Sequence, residues 1–430
     1  MNMEKDIQSL LSEFPAYSKK DWVQLIEKTL KGGSYEDLVS LTEEGIAIEP
    51  VYTQEDLNDA TVQKRHALLQ RLAPKGWKNR VVIYPSKQAP QEPLHEEAAN
   101  WGADEFYWEQ LPGAVLPAAP AYVIDWQQIE RPATACLIDP LTEKIISEGA
   151  PLKREEWDRL ADFLKQHPQA GLAVQGRNFQ EAGLPLTHTL SYTLAAAITY
   201  GIELRQRGID PYERMELSFS IGSRYFMEIA KLRSARLLWF RLAQLIEAPG
   251  RLPLHARTAL YNKTAADAYN NLLRATVEMA AAVVGGADVL TADPYDYISG
   301  QHSAFSRRIS RNIPIMLKDE SYLDKVQLPA SGSYFVEAAT EAFCQQVWQQ
   351  LQQLESMGWL REPAAVEQLM RDAEKAVAQL TGRLRSGKQV LLGVNKYPNP
   401  NDQPLPVEAA LFKGKALPFI RYETLAMPEA

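Results

Sequence analysis

Eight short apolar runs, separated by polar turns and helical patterns, constrain the fold of this chain more than any other feature. The runs are RVVIYP (80–85), ADEFYW (103–108), AYVIDW (121–126), ACLIDPL (135–141), GLAVQG (171–176), ELSFSIG (216–222), LPLHART (252–258) and ADVLTADP (287–294). Their length and their β-branched and aromatic content are typical of buried strands. Eight strands that alternate with helices predict an α/β fold, a (β/α)8 TIM barrel.

The helical patterns between the runs are uneven. Between residues 176 and 287 they are clearly amphipathic; one apolar stripe consists of Ile229, Leu232, Ala235, Trp239, Leu242 and Ile246. This stripe predicts a helix that buries one face and leaves Lys231, Arg233 and Arg241 in water. Between residues 108 and 135 the gaps are shorter than the roughly ten residues of a parallel crossover. Either the early helices are degenerate or one strand is misassigned.

The barrel pattern is flanked by helical segments at both ends. We predict an N-terminal helical arm over residues 1–75, the barrel over 76–330, and C-terminal helices and a linker over 331–430. The arm contains KKDWVQLIEKTLKGG, a helix ended by two glycines. Helices are expected near 334–356 and 362–386, and the segment GVNKYPNPNDQPLP reads as a loop.

Charge and composition exclude several classes of protein. The net charge of −8 and the pI of about 5.5 argue against nucleic acid or a membrane surface as the partner. Two distant cysteines without a CxxC spacing argue against a disulfide scaffold and a zinc site. The N-terminus carries charges where a signal peptide is apolar, and no apolar run could span a bilayer. A cytoplasmic protein is expected.

Common catalytic motifs give no specific signal in this chain. A dinucleotide fingerprint, a phosphate loop and an HExxH motif are missing, and the six histidines have no metal-ligand spacing. His255, inside a predicted strand, could be a ligand or a base, but a hydrogen-bonded core histidine is favoured. Arg307, Arg308 and Arg311 could hold phosphate, but a solvated or ion-paired helix face is favoured.

Five ordered motifs together resemble those of one known family. They are YFMEIAKLRSARLLW, YNNLLRATVEMAAAVVGGADVLTADPYD, FSRRISRNIPIMLKDES, SGSYFVEAAT and LLGVNKY, and they closely resemble stretches of methylmalonyl-CoA mutases. The resemblance implies a substrate barrel and a separate cobalamin domain, with adenosylcobalamin supplying a radical that rearranges an acyl-CoA. It also implies, as in many bacteria, a heterodimer of a large catalytic chain and a small, inactive one.

Several positions depart from the catalytic chains of that family. The cobalamin-domain signature D-x-H-x-x-G is missing from the 430 residues, so adenosylcobalamin is expected on a partner chain and none on this one. Where catalytic chains read Ser-Gly-Tyr-His-Met-Gln-Glu-Ala-Gly, this chain has Arg177 and Asn178 at the Tyr and His positions. Asparagine can donate a hydrogen bond but cannot carry a proton at neutral pH.

Two further departures lie on the later strands. Glu216 stands where catalytic chains carry an arginine, which would repel a carboxylate or a phosphate of the substrate, and Leu290 stands where they carry a histidine. By contrast, HARTALYNKTAADAYNN resembles the small chains. Catalytic residues are therefore expected to be absent from this chain. Large side chains in DEFYW, AYVIDW and VVIYP also predict a filled barrel axis, although Ser218 and Ser220 are small.

Two interpretations follow from the resemblance. The first is a non-catalytic small subunit that pairs with and stabilises a large catalytic mutase chain. The alternative is the substrate-binding barrel of a split acyl-CoA mutase whose cobalamin domain is a separate protein. In the alternative, Gln175, Arg177, Asn178 and Glu216 are the substrate-site candidates, with Asn178 as donor to the acyl carbonyl and Arg177 as partner of a carboxylate. The acyl group and the stoichiometry stay open.

Overall fold

The predicted barrel is present in the computed structural model, which describes residues 17–83, 102–109, 121–123, 136–300, 302–412 and 415–427. Eight parallel strands close in the order β10-β3-β4-β5-β6-β7-β8-β9. They are β3 (Lys78–Ile83), β4 (Glu105–Glu109), β5 (Ala121–Val123), β6 (Cys136–Ile138), β7 (Ala170–Gln175), β8 (Met215–Ile221), β9 (Leu254–Thr258) and β10 (Val289–Thr291). Every predicted run supplies one strand, so no strand was misassigned. The connections on either side of β5 lie outside the described residues.

Helices follow the later strands and extend the chain at both ends. They are α1 (Lys19–Thr29), α2 (Asp59–Leu72), α3 (Pro140–Glu148), α4 (Arg154–Gln166), α5 (Gly176–Glu181), α6 (Leu186–Arg205), α7 (Tyr225–Leu245), α8 (Asn270–Val284), α9 (Ala304–Asp319), α10 (Tyr334–Ser356), α11 (Pro363–Arg385) and α12 (Tyr422–Ala426). Helices α10 and α11 confirm the two predicted C-terminal segments. Helix α1 ends before Gly32, whose φ of +112° favours glycine.

The N-terminal arm adds a two-stranded antiparallel hairpin, β1 (Ser40–Leu41) and β2 (Ala47–Ile48), to helices α1 and α2. Helix α2 packs against α7 of the barrel. Within the described ranges no helix is both long and apolar enough to cross a bilayer. Cys136 and Cys344 are free thiols, as the cysteine spacing predicts.

Helix α7 corrects one prediction from the periodicity. Its apolar stripe is buried as expected, with Trp239 only 1% exposed. However, Lys231 and Arg233 are also buried, at 0% and 1% exposure, so the prediction that they stay in water was wrong. The reason is that α10, α8, α6 and α2 all pack around α7. The Lys231 ammonium therefore pairs with Glu228 at 2.5 Å inside the protein.

Candidate functional site

The polar interior of the barrel is the first candidate site. Side chains alternate between the two faces of a strand, so Glu216, Ser218 and Ser220 of β8 share one face. This face points into the barrel, because Glu216 reaches Arg80 of β3, a strand that is not a neighbour of β8 in the sheet. Ser218 and Ser220 are completely buried, and Glu216 is 7% exposed.

An ion pair spans the barrel interior between Arg80 and Glu216. The Arg80 guanidinium donates from Nη1 to Glu216 Oε1 at 2.7 Å and from Nη2 to Oε2 at 3.0 Å. It also donates from Nε to Glu105 Oε2 at 3.0 Å, and its Cζ lies 4.5 Å from the ring centroid of Tyr107. Ionic side chains cross the axis at this level, and the filling of the axis by large side chains stays a prediction. Arg80, which is shared between Glu216 and Glu105, offsets part of the negative charge that Glu216 brings to the axis.

His255 of β9 lies beside this ion pair and is 1% exposed. Its Nδ1 is 3.0 Å from Ser218 Oγ, and its Nε2 is 2.9 Å from Thr291 Oγ1. Burial lowers the pKa of His255 well below its usual range, and the charges of Arg80, Arg257 and Arg177 act in the same direction. The prediction of a hydrogen-bonded core histidine is confirmed. A neutral imidazole with both nitrogens in hydrogen-bonding contact does not donate a proton as an acid at pH 7.

A second buried ion pair involves Arg257, which lies two residues after His255 on β9. Arg257 Nε donates to both carboxylate oxygens of Asp293, at 3.1 and 2.9 Å. Thr258 also binds Asp293. Its Oγ1 donates to Asp293 Oδ2 at 3.2 Å and accepts from the Asp293 backbone N–H at 3.0 Å. Arg257 and Asp293 therefore compensate each other's charge inside the protein.

Sequence reasoning did not single out four of these interior residues: Arg80, Glu105, Arg257 and Asp293. Each lies within one of the eight runs recognised as strands. The available signal was a charged residue two positions from another polar residue inside an apolar run, as with His255 and Arg257. In a barrel strand such a spacing places both side chains on the same face, and a charge there is a reason to test whether that face points to the axis.

The mouth of the barrel carries the family positions that motivated the substrate-site candidates. Gln175 ends β7, and its backbone N–H donates to Asp139 Oδ2 at 2.6 Å. Gly176 then starts α5 so close to α6 that an added Cβ would lie 2.0 Å from Thr193 Oγ1. Arg177 and Asn178 follow on α5 and are 7% and 6% exposed. The packing of α5 therefore buries both candidate side chains.

The candidates at the mouth do not converge on one point. Asn178 Nδ2 donates to Glu143 Oε1 of α3 at 3.0 Å. The Arg177 side chain, by contrast, is close enough to His255 for its charge to lower the pKa of His255. Arg80, which pairs with Glu216, has the same effect. The structure thus brings Arg177 and Glu216 to the surroundings of His255 but engages the Asn178 amide with a neighbouring helix.

The Asp139 carboxylate holds the start of α5 in place through Gln175. It caps the N-terminus of α3 by accepting from the Thr142 backbone N–H at 3.2 Å, and it accepts from the Tyr200 hydroxyl at 2.6 Å and from Gln175. Burial raises the pKa of the Asp139 carboxyl to about 6. A single buried carboxyl therefore joins β6, β7, α3 and α6.

The shared motif residues Gln180 and Glu181 belong to the scaffold rather than to the axis. Gln180 Nε2 donates to Glu228 Oε1 at 3.0 Å, and Gln180 Oε1 accepts from Lys231 Nζ at 2.8 Å. Glu181 accepts from the backbone N–H groups of Leu260 and Tyr261, at 2.9 and 2.8 Å. These residues fix the loop after β9 to α5 and α7.

The three arginines predicted as a cluster on α9 differ in their exposure and contacts. Arg311 is buried at 6% exposure, Arg308 is exposed, and Arg307 donates from Nη1 to the His302 carbonyl at 2.8 Å. The three side chains differ in their surroundings and do not form one solvated face. In the described part of the chain, no group of three or more His, Cys, Asp or Glu side chains is arranged to hold a metal ion.

Comparison with known proteins agrees with the resemblance in the motifs. A methylmalonyl-CoA mutase small subunit from Porphyromonas gingivalis is 28% identical over 92% of this chain and 72% of its own length. A probable small subunit from Mycobacterium bovis is 31% identical over 62% of this chain and 45% of its own length, and a large subunit from Streptomyces virginiae is 26% identical over 91% and 64%. The chain thus spans less than two thirds of two of these relatives. The family model of methylmalonyl-CoA mutase matches residues 158–416, more than half of the chain, and the chain belongs to the methylmalonyl-CoA mutase family.

Proposed function

We propose that this chain is the non-catalytic small subunit of an adenosylcobalamin-dependent methylmalonyl-CoA mutase in the cytoplasm. In this role it pairs with a large catalytic chain and stabilises it. The observation that carries the proposal is the ion-paired barrel interior, in which Arg80 bridges Glu216 and Glu105 across the axis. Two relatives bear the name small subunit, which supports the same role.

Energetics argue against an acyl-CoA along this axis. Arg80 is 3% exposed and Glu216 7%, so a substrate that entered at their level would have to separate them. Breaking a buried ion pair costs about 3–5 kcal/mol, because each charge is left without its partner in a low-dielectric interior. A substrate would have to offset that cost before any binding energy remained for catalysis.

The chemistry of the mouth argues against proton transfer or substrate activation. Asn178 cannot gain or lose a proton near pH 7, and its amide already donates to Glu143. His255 is neutral because burial lowers its pKa. Adenosylcobalamin, which supplies radical chemistry when bound, is proposed for the partner chain, because the signature D-x-H-x-x-G is missing from these 430 residues.

The proposal is tested by reconstitution with a large mutase chain. The two chains are co-expressed, the tagged small chain is purified, and methylmalonyl-CoA turnover is measured on the complex. We expect a stable complex whose turnover is unchanged by Asn178→Ala in this chain, because the Asn178 amide donates to Glu143 of a neighbouring helix. Glu143→Ala, which removes the partner of the same hydrogen bond, is the matched control.

Loss of turnover with Asn178→Ala, together with normal turnover for Glu143→Ala, would refute the non-catalytic role. It would favour the split mutase, in which Gln175, Arg177, Asn178 and Glu216 bind the acyl-CoA. Calorimetric titration of acyl-CoA into the isolated chain gives an independent reading. We expect no binding heat, and saturable binding that is lost in Asn178→Ala would support the split mutase instead.

A further inference from the structure

The first part of the N-terminal arm is attached to the barrel by few contacts. Of residues 17–56, only Tyr35 and Ile46 are buried over the whole residue, at 7% and 6% exposure. Tyr35 bonds within the arm, since its hydroxyl lies 3.1 Å from Glu49. Ile46, at the hairpin, packs with Leu186 and Phe343 of the barrel helices. The hairpin is therefore one apolar contact of this segment, and Tyr52 makes another, since its ring centroid lies 5.3 Å from that of Phe335 of α10.

The hairpin turn adds a buried carboxylate to that contact. The Glu44 side chain is 0% exposed. Its Oε1 accepts from Arg224 Nη2 at 2.9 Å and from the Leu186 backbone N–H at 3.0 Å, and its Oε2 accepts from Arg224 Nη1 at 3.0 Å. Leu186 is the first residue of α6, whose early N–H groups have no partner within the helix. Glu44 thus joins the loop after β8 to the start of α6.

The neighbouring residue extends the same cluster. Glu43 lies 3.2 Å from Arg224 Nη2 and 3.0 Å from Arg383 Nη2 of α11. The turn residues Glu43 and Glu44 therefore place two carboxylates against two arginines of the barrel and its C-terminal extension. Arg224 binds Glu44 in a bidentate manner, which is the stronger and more directional geometry for this pair.

Helix α1 is held by the rest of the arm. None of its residues is buried, and Lys19 holds it to the rest of the arm through Glu49, at 2.5 Å, and through Asp56. Its outer face carries Trp22 and Leu25, which are 48% and 58% exposed. The rest of the arm, through these contacts of Lys19, therefore fixes where this apolar face lies on the molecule.

We propose that the Glu43–Glu44 turn is a latch that docks residues 17–56 on the barrel, and that this segment can be released while the barrel and α2 stay folded. Helix α2 has an anchor of its own, because Arg65 Nη1 donates to the Glu337 carbonyl at 2.9 Å and to its carboxylate at 3.1 Å. The latch does not depend on the proposed function, since it concerns contacts within one chain.

Hydrogen exchange of the full chain, read peptide by peptide by mass spectrometry, tests the latch. Glu44→Ala removes the acceptor of three hydrogen bonds. We expect exchange across residues 17–56 to rise at least tenfold while the peptides of the barrel strands keep their rates. Glu49→Ala is the matched control: it removes the acceptor of Lys19 and of the Tyr35 hydroxyl inside the arm. The peptides of α1 and of the segment around Tyr35 should then exchange faster, while those of the Glu43–Glu44 turn keep their rates.

Two results would overturn the latch. One is unchanged exchange across residues 17–56 in Glu44→Ala. The other is an equal rise in the arm and the barrel strands, which would mean that the arm opens only when the barrel unfolds. If Glu44→Ala does not fold, Arg224→Lys replaces it, because lysine keeps the charge but loses the bidentate geometry. An increase in exchange confined to the arm supports the latch, and no increase overturns it.

Discussion

Glu216→Ala is the substitution that bears most directly on the ion-paired axis. It removes a carboxylate that accepts two hydrogen bonds from Arg80. Among the described contacts, Glu105 is then the carboxylate that still binds this buried guanidinium. Removing one partner of a buried ion pair destabilises a protein by about 3–5 kcal/mol. Because Arg80 keeps Glu105, we expect the lower end, about 3 kcal/mol.

Thermal unfolding followed by calorimetry measures this loss. The entropy of unfolding is about 2.1 cal/mol/K per residue, which for 430 residues gives about 0.9 kcal/mol/K if the chain unfolds as one unit. A loss of about 3 kcal/mol therefore lowers the Tm by about 3–4 °C. Denaturant unfolding at 25 °C should give a loss of similar size.

Two variants separate the effect of burial from that of charge. Glu105→Ala removes the other carboxylate of Arg80, but its side chain is 21% exposed and it also pairs with the exposed Lys78. We expect it to cost about 1 kcal/mol. The double variant Arg80→Met, Glu216→Leu removes both charges and should return the Tm to within about 1 °C of the wild type. Equal losses for Glu216→Ala and Glu105→Ala would refute the reasoning.

Three further predictions follow from the buried groups. Lys231→Met leaves its carboxylate partner without a cation and should lower the free energy of unfolding by about 3–5 kcal/mol, whereas the exposed Arg241→Ala should change it by less than about 0.5 kcal/mol in the same denaturant titration. Burial raises the pKa of the Cys136 thiol to about 11, and this residue is 3% exposed, so iodoacetamide at pH 8 should label Cys136 only after denaturation, and labelling of Cys136 in the native chain would contradict this burial. The raised pKa of Asp139, about 6 against an ordinary 3.8, means that the folded state holds a proton between these values that the unfolded chain has released; the wild type should therefore gain up to about 3 kcal/mol relative to Asp139→Asn as the pH falls from 7 to 4, and a loss over that range would contradict the assigned sign.

The barrel could be predicted from the sequence because each strand is encoded locally. GLAVQG is mostly apolar, and in ELSFSIG polar and apolar residues alternate as the two faces of a strand do. Each of these runs forms a barrel strand in the structure. Helices α10 and α11 were predicted almost to the residue for the same reason, since their periodicity and their boundaries are properties of neighbouring residues.

The candidate site was predicted only in part. The motif around α5 identified Arg177 and Asn178, and the start of the sixth run identified Glu216. Their partners did not follow from the sequence, because Arg80 lies 136 positions from Glu216 and Glu143 lies 35 positions from Asn178. No local pattern records which distant charge will face a given side chain once the barrel closes. The sequence therefore showed the carboxylate of Glu216 but not the guanidinium that pairs with it.

The sequence by itself determined the strand–helix alternation, the family and the residues at the family's catalytic positions. The tertiary structure decided which charges are buried, as Lys231 and Arg233 show. Their positions on α7 fit a solvated face in the periodicity, yet both are buried in ion pairs. Periodicity reports the apolar side of a helix, but burial of the other side depends on whether another element packs there and brings an opposite charge with it.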